Sequence, residues 1–150
     1  MDLKKLVVDT KSVWVDFPGL SGFSIEVANL SRKELNNLRK RCTVQKFDRK
    51  TRQVVESLDE EKFVKEFSVA TVKNWKGLSL SNLETLLLID TTGQDMSTEL
   101  EFTEDNAETL VSSSNEFDTW LNEVVFDLDN FRVGGKGGSP KPAGETLQES

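Results

Sequence analysis

Residues 117–131 line up Phe117, Trp120, Leu121, Val124, Leu128 and Phe131. At about 100° per residue these side chains fall within about one third of a helix circumference. A stripe this apolar has to be buried, so the chain must fold a second layer over its last helix. Phe126 lies roughly opposite the stripe, where a helix covered on one side would carry a polar residue. The stripe then stops abruptly. After Val133 the sequence reads GGKGGSPKPAGETLQES, with four glycines before Ser139, two prolines and almost no apolar side chain. Such a segment cannot recover its ordering entropy by burial. The expected organisation is therefore one folded domain over residues 1–133 and a disordered Gly/Pro-rich tail over 134–150.

The rest of the chain predicts what covers the stripe. Val13–Phe17 and Phe23–Ala28 are short β-type runs separated by Pro18, Gly19 and Gly22, a turn composition. The second run alternates, with Phe23, Ile25 and Val27 on one face, as a half-buried strand does. Ser31 and Glu34 have capping-box spacing and open a mostly polar helix. Strands are expected near Cys42–Phe47 and Arg52–Ser57 around the loop DRKT, although a helix running on through residue 47 is also compatible. Ser57 with Glu60 and Ser81 with Glu84 read as further capping boxes.

The Ser57 helix is expected to run through Trp75 and end at Gly77. Its apolar residues wrap widely: Phe63, Phe67 and Ala70 on one face, Val69 and Val72 on another, Val64 and Trp75 between. That width predicts a helix covered from two directions, by the rest of the chain or by another molecule. Leu88 and Ile89 extend the leucine run of the next helix beyond one stripe. Thr103 and Asn115 are the expected N-caps of the last two helices. The fold class is α+β: short antiparallel strands and hairpins in the N-terminal half, then a mostly α-helical C-terminal half.

With 36% apolar and 30% charged residues the composition is globular, and nine Phe with three Trp are enough to nucleate a core. No run of eighteen apolar residues exists to span a bilayer. The N-terminus has no long apolar segment or small-residue cleavage site of the secretory kind. A single cysteine, Cys42, cannot form an internal disulfide, which fits a reducing, cytosolic compartment. Residues 31–52 hold nine Lys/Arg against Glu34 and Asp48, a local +7, while the whole chain is −7. A basic block on an acidic body favours oriented association with itself or with a charged partner. The same block could serve as a nucleic-acid footprint, but it interleaves one aromatic, Phe47, and the acidic remainder repels phosphate.

Candidate chemistry is sparse. The chain has no histidine, the commonest general base and metal ligand. Cys42 therefore has no imidazole to activate it. GGKGG lacks the spacing and the Ser/Thr of a phosphate loop. Glu104/Asp105 read as a complement to a helix dipole and Asp127/Asp129 as a polar helix edge. Carboxylates alone can serve a glycosidase or a hard-metal site, so composition leaves those open, but no catalytic residue, metal ligand or cofactor site is singled out. The candidate site residues are instead apolar groups off the core stripe, Val69, Val72, Leu88 and Phe126, which together suggest a partner-binding patch.

The order of three segments carries a resemblance. Trp-Lys-Gly-Leu (Trp75–Leu78), then Glu-Phe-Thr-Glu-Asp-Asn-Ala-Glu-Thr-Leu (Glu101–Leu110), then Glu-Phe-Asp-Thr-Trp-Leu opening Glu116–Phe131 resembles the tail assembly chaperones of long-tailed bacteriophages. The resemblance extends over roughly residues 10–133 and rests on order and spacing rather than on one diagnostic motif. It implies a non-enzymatic factor of the host cell cytoplasm that is absent from the mature virion. The implied partners are the apolar, helical tape measure protein, which such a factor keeps soluble, and tail tube subunits that it recruits. It also implies a longer form produced by ribosomal frameshifting, hung on the tail that begins GGKGG, and it leaves room for a homo-oligomer. Two other readings stay open: a structural tail or head–tail connector protein of the virion, and a nucleic-acid-binding regulator using residues 31–52.

Overall fold

The structure is a computed structural model that describes residues 1–7 and 11–132. The tail expected over 134–150 lies outside the described residues. Twelve elements follow in order: α1 (Leu3–Leu6), β1 (Ser12–Asp16), β2 (Ser24–Ala28), α2 (Arg32–Cys42), β3 (Thr43–Asp48), β4 (Gln53–Leu58), α3 (Glu60–Thr71), β5 (Val72–Lys76), α4 (Leu80–Leu86), α5 (Glu104–Ser113), α6 (Asn115–Val125) and a 3₁₀ turn (Leu128–Phe131). The fold is α+β, with helices interleaved among strands that lie mostly in the N-terminal half.

The described residues form two antiparallel sheets. The first has the order β1-β2-β5. Its register places Val13 beside Val27, Val15 beside Ile25, and Ile25 beside Trp75. These residues form one apolar face, and α3 and α6 pack on the sheet from that side. Phe17, Phe23, Phe117 and Trp120 meet there, with ring centroids 5.0–6.5 Å apart. Offset and tilted contacts of this kind add to the area that each ring buries. The Trp120 indole N–H has no acceptor among the described residues. The opposite face is polar: Ser24 Oγ donates to Asp16 Oδ1 at 2.6 Å, and Lys76 Nζ sits 4.8 Å from the Trp14 ring centre.

The third strand corrects the sequence reading. The helix expected to reach Trp75 ends at Thr71, and Val72–Lys76 is β5. The three-residue spacing of Val72 and Trp75 suggested a helix. In a regular strand it would point the two side chains to opposite faces. The ladder slips here, Glu26 pairing with Asn74 and Val27 with Val72, so Lys73 is an extra, bulged residue. The bulge returns both apolar side chains to the core. Gly77 then turns the chain at φ +76°, so close to the turn between β1 and β2 that a Cβ would fall 1.9 Å from the Gly22 carbonyl oxygen.

Several caps also move. Ser31 with Glu34 and Thr103 are the observed caps of α2 and α5. For α3 the cap is Asp59 rather than Ser57, for α4 Ser79 rather than Ser81, and for α6 Ser114 rather than Asn115. In each case a side-chain oxygen one or two residues away, downstream for α3 and upstream for α4 and α6, reaches the free amide of the first turn. The last helix ends at Val125, so Leu128 leaves the expected stripe and is 57% exposed, while Phe131 remains buried. Strand β2 is more enclosed than a half-buried strand, since Ser24 and Ala28 are buried too; it is the central strand.

The second sheet is the hairpin β3–β4, a two-stranded unit inserted between α2 and α3. The Asp59 amide donates to the Cys42 carbonyl at 2.7 Å and closes its base. The turn is tightened where the Arg52 amide reaches the Asp48 carbonyl at 2.7 Å, with Arg52 at φ 57°. Beside the base, Arg41 Nε donates to Glu66 Oε1 at 3.1 Å and ties α2 to α3. Among the described residues no helix is long and apolar enough to cross a membrane.

Candidate functional site

The broad apolar arc of α3 is divided between two neighbours. Phe67 is buried, while Phe63 and Val64 are half-buried and look outward between α2 and α6. Together with Leu35 of α2 and Val111 of α5 they line a half-open groove of about 300 Å³. Phe126, the residue that caps α6 at its C-terminus, forms one end and remains 45% exposed. Its ring centre lies 6.3 Å from that of Phe67, which is in turn 5.9 Å from Phe63 in a near-parallel stack. Three phenyl rings therefore run in a row along the groove.

The rim is polar and of mixed sign: Arg39, Glu60, Asp118 and Asn122. The Asn122 amide is held in place, donating from Nδ2 to the Asp118 carbonyl at 2.8 Å and to its carboxylate at 3.2 Å. An aromatic floor with a thin charged rim suits the side chains of an amphipathic helix, which supplies rows of apolar groups flanked by polar ones. The gain comes from removing apolar area from water, about 25 cal/mol per Å².

Beside this groove, α3 and α5 form a shallower depression of about 370 Å³ lined by Glu60, Glu61, Glu108, Val64 and Ser112. It is acidic where the first groove is aromatic. Cys42, buried at the end of α2, has its thiol pKa pushed up by burial and by the Glu66 carboxylate, so it stays protonated. Hydrogen bonds from the side chain and backbone of Thr92 hold the Asp90 carboxyl below its usual range. The backbone and hydroxyl of Ser97 do the same for Asp95. Both aspartates are turn-formers on an exposed loop. No three His, Cys, Asp or Glu side chains converge on one point among the described residues.

The four residues singled out by sequence do not form one patch. Phe126 lines the groove. Val69 is half-buried on the far side of α3 from Phe63, its carbonyl accepting from Lys73 Nζ at 3.1 Å. Val72 is 2% exposed and belongs to the core, because it sits on a strand rather than on a helix. Leu88, beyond the end of α4, is fully exposed but lies outside the groove. The groove residues that the sequence did not single out as a surface are Leu35 and Phe63, which are half-buried, and Phe67 and Val111, which line it from the core. The signal was the excess width of the α3 arc, which marked a second cover without showing where it lies.

The segments that carry the family resemblance hold the fold together. Trp75 Nε1 donates to the Leu100 carbonyl at 2.9 Å, and the Leu100 amide donates to the Leu78 carbonyl at 2.7 Å. Thr103 Oγ1 accepts from the Asn106 amide at 3.0 Å, and Asn106 Nδ2 donates to the Glu101 carbonyl at 3.1 Å. No protein-family model, curated protein or solved structure matches the chain.

Proposed function

We propose that this chain is a non-enzymatic assembly chaperone of a long-tailed bacteriophage. In this reading it binds apolar helical segments of the tape measure protein, keeps that client soluble in the host cytoplasm and recruits tail tube subunits. The observation that carries the reading is the phenylalanine row Phe63–Phe67–Phe126 in a half-open groove. An extended apolar helix is a client of matching chemistry, because it offers side chains at the spacing of one helix face. The resemblance of the Trp75–Leu78, Glu101–Leu110 and Glu116–Phe131 segments supplies the biological setting. The Gly- and Pro-rich sequence after residue 132 would then be the tether for the tube-recruiting part, and the place where a frameshifted longer form is attached.

Coexpression tests this. The tape measure protein is expected to be soluble and to copurify with the wild-type chain. Phe126→Asp, which charges one end of the groove without entering the core, is expected to cost at least about tenfold in client affinity. A client that remains insoluble beside the wild type sinks the proposal, as does a Phe126→Asp variant that binds equally well. Recovery of the protein from purified virions would replace it with a structural tail or connector role.

A further inference from the structure

The hairpin β3–β4 is left incomplete by the fold around it. An isolated pair of strands is marginally stable in water, and among the described residues this one forms no ladder with the other sheet. Its apolar side chains are open to solvent: Phe47 and Val54 at 63%, Val55 at 40% and Leu58 at 37%. The two outer edges differ. Strand β3 carries Lys46, the kind of residue that keeps an edge single. Strand β4, Gln-Val-Val-Glu-Ser-Leu, carries no lysine and is exposed along almost its whole length.

We propose that β4 is the edge on which a second copy of this chain adds. Two hairpins meet about a two-fold axis at Val55 and make one four-stranded antiparallel sheet, each basic turn lying over the acidic start of the other copy's α3. The register follows from geometry. A two-fold axis normal to the sheet keeps each face continuous, so residues opposite each other across the seam must come from the same face of β4. Centring on Glu56 sets two like charges directly opposite, which is destabilising. Centring on Val54 leaves Ser57 and Leu58 facing turn residues. Centring on Val55 pairs valine with valine, Val54 with Glu56, and Gln53 with Ser57, and no like charges meet.

The same register places the turn. Past the two ends of β4 the same centring brings the basic turn, with Arg49 and Lys50, towards the acidic start of the other copy's α3, with Glu60 and Glu61, beside the depression that also contains Glu108. None of Arg49, Lys50, Glu60, Glu61 and Glu108 forms an ion pair with a described residue of its own chain. The two-fold axis makes every one of these contacts twice. Strands of six residues, about 20 Å long, bring tip and base to the same level. This interface needs only the chain itself and stands whether or not the groove binds a tape measure protein.

Sedimentation equilibrium of the full chain, with no client present, reads the dimer constant. Arg49→Glu and Glu61→Lys are each expected to raise Kd at least about tenfold. Combined in one chain they restore opposite charges across the seam, and Kd is expected to return to within about threefold of wild type. Under mild oxidation Val55→Cys is expected to cross-link as a dimer, whereas Lys46→Cys on the other edge is not. A chain that stays monomeric at all concentrations overturns the proposal. So does a double variant as weak as the single ones, or Lys46→Cys cross-linking as readily as Val55→Cys.

Discussion

Two antiparallel sheets are built from similar alternating runs, yet their fates differ. Ile25 and Val27 in β2 are fully buried, whereas Phe47 and Val54, directly paired in the β3–β4 hairpin, are 63% exposed. Both runs read as half-apolar strands. What separates them is the layer above: α3 and α6 lie on the first sheet, while α2 and α3 flank only the base of the second. Strand patterning therefore specifies a face that could be buried. Whether it is buried depends on where the helices land, and a face that no helix covers stays open to solvent.

That contrast can be broken by measurement. The largest effect is expected from Gly77→Val, where the three-stranded sheet turns into α4. A left-handed φ and a Cβ 1.9 Å from the Gly22 carbonyl leave no room for relaxation, and a loss of at least about 3 kcal/mol is expected in urea unfolding. Phe117→Ala, in the aromatic cluster over the same sheet, is expected to cost about 3–5 kcal/mol. Its counterpart Phe47→Ala, measured at concentrations where the chain is monomeric, should stay within about 0.5 kcal/mol. Comparable losses for the two phenylalanines would mean that the hairpin is covered within one chain, and the contrast between the sheets would disappear.

The smallest effect sharpens the boundary between α2 and the hairpin. The thiol of Cys42 titrates at higher pH in the folded chain than when unfolded, because burial and then Glu66 oppose the thiolate. Below the unfolded thiol's pKa that preference costs nothing. As pH rises past it, the unfolded chain loses a proton that the folded chain keeps, and stability falls until the folded thiol also ionises. The difference between the wild-type and Cys42→Ala stability profiles is expected to slope in this sense above about pH 8.5. A flat difference would place Cys42 in contact with water.

Much of the local structure was legible because its causes are local. Ser31 reaches the Glu34 amide and Thr103 the Asn106 amide, contacts that a four-residue window contains. Where two hydroxyl or carboxylate side chains compete within such a window, sequence chose wrongly, as with Ser57 against Asp59 and Ser81 against Ser79. Strand β5 was hidden for a different reason. Its partner β2 is distant in the chain, and a bulge at Lys73 gave Val72 and Trp75 a helical spacing. Of the groove, Phe126 could be picked out because it stands off the α6 stripe. Phe63 and Phe67 could not, because their partners belong to other helices.

By itself the sequence determined the α+β class, the α6 stripe from Phe117 to Val124, the caps of α2 and α5, the absence of histidine and the charge contrast between residues 31–52 and the remainder. These follow from side-chain type and near-neighbour spacing, which folding cannot alter. Only the tertiary structure decided that Val72 is core, that three phenylalanines from two helices stand in one row, and that β4 is an open edge. Each of these is a relation between segments far apart in the chain, and it exists only once packing has chosen which apolar faces are covered.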